Sequence, residues 1–142
     1  MERGRIEQIA LGLIAVAMLP TALQATFMPK SFFDDFPLGR GWIAMGGAAY
    51  DEHLVRDVGG LFLALIIVTV WSLWSEPVRR PVAVAWLVQG LLHVGYHVGH
   101  LDGFGTADEV GMVVSLAAIP VLALVALWAG AGSGAKVAAP QP

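Results

Sequence analysis

Pro81-Val-Ala-Val-Ala-Trp-Leu-Val-Gln-Gly-Leu-Leu-His93-Val-Gly-Tyr-His97-Val-Gly-His100 is the stretch that decides how this chain folds. From Pro81 to Gly99 it carries no formally charged residue. At about 20 residues it has the apolar length a helix needs to cross a bilayer. The apolar stretch before it, 58–74, is rich in β-branched residues that would suit a strand, but a lone strand leaves backbone polar groups unsatisfied in lipid, so a helix is predicted there, and Pro81–Gly99 is likewise read as a helix. That helix brings His93, His97 and His100 to one face, with Gln89 and Tyr96 beside them. Ionisable groups at membrane depth are costly, and their default reading is a functional site.

The rest of the chain has the same character. Of its 142 residues, 57% are hydrophobic and 13% charged, with a mean hydropathy of +0.72. Soluble domains run nearer a quarter charged. The composition predicts an all-α integral membrane four-helix bundle with a long first extracytoplasmic loop. Spans are predicted at residues 9–28, 58–74, 81–99 and 110–130, forming one domain over 1–132 ahead of a flexible cytoplasmic tail, 133–142. Pro20 and Pro120 predict kinks in the first and fourth spans. Residues 75–80 read as a tight hairpin turn. Residues 101–109 read as a short polar loop, and Thr106-Ala-Asp-Glu109 as a capping box. In the long connection, 29–57, Ser31-Phe-Phe-Asp-Asp-Phe36 and Trp42 read as an interfacial segment.

Orientation follows from the lysines and arginines. With four spans, Arg3, Arg5, Arg79, Arg80 and Lys136 share one side, read as cytoplasmic together with both termini. Lys30, Arg40 and Arg56 lie opposite. The first span reads as a retained signal anchor, because it is long for a cleaved leader and lacks an Ala-x-Ala site.

Several classes of function drop out. The chain has no cysteine, which removes disulfides, thiolate metal ligands and cysteine nucleophiles. A net charge of −3 without a basic run argues against nucleic acid as a partner. There is no nucleophile elbow, phosphate-binding glycine loop, His-Glu-x-x-His helix or dinucleotide fingerprint. Four histidines are too few for a membrane hydroxylase or desaturase. No catalytic residue can be named, and an enzyme is the disfavoured class.

The predicted topology sends Asp51, Glu52, His53, Asp57, His93, His97, His100, Asp102, Asp108 and Glu109 to the outer half. His53 and Asp57 are one helical turn apart, and Gly60 and Ala64 continue their face, so the 81–99 helix is expected to pack closely there. Gly95 and Gly99 form a second small-residue seam, which would make that helix central. A metal site would take His97 with His93 or His100, completed by His53, Asp57 or Glu52 across the hairpin. Imidazole and carboxylate ligands suit zinc, copper or iron. Haem b is a second option, held by two imidazoles with Arg56 or Arg40 on its propionates. Gln89, Tyr96 and Arg56 are the expected cofactor contacts. The plainest alternative is a hydrogen-bonded network that only fixes helix packing.

The four-span layout, the long first outer loop and Arg56-Asp-Val-Gly-Gly60-Leu-Phe-Leu resemble the DoxX-like group of small bacterial membrane proteins. Asp51-Glu-His-Leu-Val-Arg-Asp57 and the His93–His100 segment resemble small actinobacterial membrane proteins. The histidines depart from the DoxX-like pattern, so the resemblance implies an accessory membrane subunit and no particular ligand. The expected role is transition-metal binding, as a metal-handling protein or an accessory subunit of a membrane redox complex. The alternatives are a non-metal subunit holding lipid or quinone, and a small membrane oxidoreductase. The bilayer is the expected partner, with a larger complex or a homo-oligomer beyond it.

Overall fold

The computed structural model describes residues 2–131, and these form helices with no strand among them. Four helices are long: α1 (Glu2–Phe27), α4 (Glu52–Ser72), α5 (Glu76–Val98) and α6 (Thr106–Ala131). Two short ones, α2 (Pro29–Asp35) and α3 (Trp42–Met45), lie in the first connection. Three of the long helices, α1, α4 and α6, are long and apolar enough to cross a membrane. In α5, Gln89, His93 and His97 dilute the apolar stretch. The predicted tail, 133–142, lies outside the described residues.

Helix starts explain where the elements differ from expectation. Asp51 caps α4, its carboxylate accepting from the Leu54 amide at 3.1 Å, so the helix opens at Glu52 rather than at Val58. The turn after α4 is shorter than predicted. Pro77 occupies the first turn of α5, where its missing N–H costs nothing, and Arg79 and Arg80 are therefore helical. The Thr106 capping box is replaced by a backbone start, in which the Asp108 and Glu109 amides donate to the Gly105 carbonyl at 2.8 and 3.0 Å. Pro20 and Pro120 are carried inside continuous helices.

The packing order corrects the expected one. The centre belongs to α1, which lies along α4 on one side and α6 on the other. Helix α5 rests on α6, and its contact with α4 is thinner. Helices α1 and α6 both bury alanines, Ala10, Ala15, Ala22 and Ala25 on one, Ala123, Ala126 and Ala129 on the other. Small side chains let backbones approach closely, which is how helices gain contact when lipid offers no hydrophobic drive. Between α4 and α5 the joint is Trp86. It is fully buried, lies parallel to Phe62 and donates from Nε1 to Thr69 Oγ1 at 2.8 Å.

Glycine marks two close approaches between helices. A Cβ on Gly59 would sit 2.5 Å from the Thr26 backbone nitrogen, and one on Gly90 would sit 2.7 Å from Pro120 Cδ. The expected seam at Gly60 and Gly95 is not used, since nothing lies within 4 Å of a Cβ at either. The seam on α4 is therefore one residue away and faces α1, not α5. Gly59→Ala is expected to destabilise the detergent-solubilised protein by about 1–3 kcal/mol through overpacking. Gly60→Ala should leave its melting temperature unchanged or slightly raised; equal losses in the two variants would reject this seam.

The connection between α1 and α4 folds back on the bundle. Phe32 and Phe33 are buried, Phe33 meets Tyr50 edge-on, and Trp42 covers Gly111 of α6. Trp42 Nε1 donates to Asp108 at 2.8 Å, and Arg40 pairs with the same carboxylate. Asp108 lies ahead of the apolar stretch of α6. The Trp42 hydrogen bond, then Arg40, hold its carboxyl below the usual carboxylate range.

Candidate functional site

The C-terminal half of α5 and the turn that follows it present the histidines on the surface of the bundle. His93 and His97, one turn apart, stand with ring centroids 4.7 Å apart and planes at 76°. Tyr96 and His100, also one turn apart, stack at 4.1 Å. His93, Tyr96 and His100 are exposed and His97 half-buried, while Gln89 lies half-buried one turn below His93. His100 Nδ1 is 2.7 Å from the Tyr96 carbonyl. A carbonyl only accepts, so this nitrogen carries the proton, and the ring closes the C-terminal end of α5.

The residues expected to join them from α4 are engaged locally. His53 Nε2 lies 3.2 Å from Asp57 Oδ2, and the His53 side chain is 88% exposed. Glu52 accepts from Arg56 Nε at 2.9 Å, and Arg56 Nη1 donates to the Thr26 carbonyl at 2.6 Å. Arg56 thus ties the start of α4 to the end of α1, which accounts for it without a cofactor.

These pairings correct the expected convergence. Among the described residues, no group of three or more His, Asp or Glu side chains is arranged to hold a metal ion. His53, Asp57 and Glu52 do not complete a set with His93, His97 and His100. The reason is the packing order: α1 occupies the flank of α4 that was assigned to α5, and the His53–Asp57 face is left open. The same arrangement lacks the facing imidazoles a haem would need within one chain, since His93, His97 and His100 all lie on α5 or just past its end and His53, the remaining histidine, is paired with Asp57 on α4.

A second polar site escaped the sequence reading. At the opposite end of the bundle, Glu7 of α1 and Arg79 of α5 are both buried, with Arg79 Nη1 3.5 Å from Glu7 Oε2. Arg79 also donates to the Ser72 and Leu73 carbonyls, each at 3.0 Å, and Gln8 Nε2 donates to Leu73 at 2.7 Å. The last carbonyls of a helix lack intrahelical partners, and here side chains from α1 and α5 supply them. Gly130 of α6 completes the node, because a Cβ there would meet Glu7 Oε1 at 2.5 Å. The signal was present in Glu7, an acid one turn from Arg3 at the head of the apolar run of α1.

No protein family, curated protein or solved structure matches the chain.

Proposed function

We propose that the chain is a four-span membrane protein, with both termini cytoplasmic, that binds a transition metal through His93 and His97 as a non-enzymatic accessory or metal-handling subunit. The observation that carries the metal reading is the His93–His97 pair, two imidazoles side by side on one helix turn and committed to no other side chain. Neutral imidazole suits zinc, copper or iron. Helix α5 is the fourth span in this reading, supported by its 23 residues and its contact along α6.

The charge distribution supports the orientation. Each outer cation is matched by a carboxylate, Lys30 by Asp34, Arg40 by Asp108 and Arg56 by Glu52. At the other end Arg3, Arg5 and Arg80 have no ion-pair partner among the described residues, in keeping with the cytoplasmic side. Arg3 lies over the Trp128 ring, 4.9 Å from its centroid, as an interfacial anchor would.

Elemental analysis of the detergent-purified protein tests the reading. The wild-type chain is expected to retain zinc, copper or iron after desalting, and H93Q/H97Q to lose most of it. Equal metal in both, or none in either, would leave the non-metal accessory role, with a bound lipid or quinone, as the better account.

A further inference from the structure

We infer that the His93–His97 pair is half of a metal site, and that a second copy of this chain supplies the other half. Four imidazoles from two α5 helices would then hold one ion. This inference rests on the metal-binding reading above and adds who completes the ligand set.

The argument begins with what one chain can offer. Two imidazoles at i and i+4 occupy two positions of a metal that in closed sites takes four ligands. Within the chain the neighbouring acids are already used: Asp57 by His53, Glu52 by Arg56 and Asp108 by Arg40 and Trp42. His100 has one ring nitrogen committed to the Tyr96 carbonyl. No third ligand from the described residues reaches the pair.

Position supplies the second step. His93 is seven residues before His100, roughly 10 Å deeper at 1.5 Å per residue. An exposed imidazole at that depth faces lipid unless something polar covers it, and polar side chains in spans turn toward protein or water. Leu92 and Tyr96 beside it are 72% and 60% exposed, so this flank of α5 is open, with no element of the chain packed over it.

Symmetry decides the occupant. Two copies inserted with the same orientation can be related by a two-fold axis along the membrane normal. Such an axis places every residue opposite its own counterpart at equal depth. The pair on one α5 then meets the identical pair on the other, which makes the face self-complementary through a shared cation. The site lies toward the outer end of α5, where water and headgroups can balance the charge of the ion.

Zinc is the probe. The detergent-solubilised full chain, loaded with Zn2+ and desalted, is expected to keep one zinc per two chains on a species of twice the chain mass. Elemental analysis and light scattering read the two quantities. H93Q/H97Q should lose both while keeping its helical content by circular dichroism; the single variants H93Q and H97Q should each lose most of the zinc. His53→Ala should keep both. One zinc per chain on a monomer overturns the two-chain site and leaves single-chain metal binding standing. Zinc retained equally by the wild type and H93Q/H97Q overturns both readings, and zinc retained by neither overturns the two-chain zinc site.

Discussion

Arg79→Ala is expected to lower the stability of the detergent-solubilised protein by about 3–5 kcal/mol, the range for removing one partner of a buried ion pair. The loss has two sources. Glu7 is left buried without its counter-charge, and the Ser72 and Leu73 carbonyls each lose a donor. Glu7→Gln should cost less, because the buried guanidinium loses its counter-charge but keeps the Ser72 and Leu73 carbonyls and an amide oxygen that can accept from it. Arg79→Lys should fall between the two, since an ammonium cannot reach two carbonyls and a carboxylate with the fixed fork of a guanidinium. Denaturant titration followed by circular dichroism reads all three. An Arg79→Ala variant as stable as the wild type would show that the node is hydrated and exerts no hold on the helices.

Trp86→Ala should be comparably severe, at about 3–5 kcal/mol, the usual cost of emptying a buried aromatic site. Trp86 is fully buried between α4 and α5, whose contact is sparser than that of α5 with α6, so few other side chains can fill the space it leaves. Trp86→Phe separates packing from polarity. It preserves a ring against Phe62 while removing the hydrogen bond to Thr69, worth about 1 kcal/mol net, and part of the indole volume. Thr69 would not be orphaned, because its hydroxyl already donates to the Leu65 carbonyl at 2.7 Å. The same unfolding measurement decides the matter: losses of equal size in the two variants would place the stabilisation in the hydrogen bond and not in the buried ring.

The two polar ends of the bundle contrast in a way that bears on the site. The Glu7–Arg79 node is buried, joined to α1, α4 and α5, and pressed by Gly130 of α6. It has the marks of a structural lock. The His93–His97 pair is on the surface, and no other helix of the chain engages it. A histidine that merely fixed helix packing would be hydrogen-bonded across a helix interface. That difference is why the imidazole pair, and not the buried ion pair, is assigned the ligand.

Local pattern was enough for the helices themselves. Uncharged runs long enough for a bilayer located α1, α4 and α6, and the period of 3.6 residues placed His93, His97 and His100 on one face of α5. The sequence also holds the cap residue Asp51 and the first-turn Pro77, although the span reading passes over them and starts its helices at 58 and 81 instead of at Glu52 and Glu76. These are effects of neighbours within one turn, which a sequence displays directly.

The partners of each face were another matter. Gly59 and Gly60 are adjacent glycines with identical local prospects, yet only Gly59 meets α1. Glu52, His53 and Asp57 could have turned toward α5, and instead α1 fills that flank while Arg56 and Asp57 bind the first two at short range. Helix order around a bundle depends on side-chain shapes brought together from distant parts of the chain, such as Ala25 and Thr26 against Gly59 or Pro120 against Gly90. Periodicity says which face is apolar, but several helices can satisfy an apolar face equally well, and only close packing in three dimensions chooses among them.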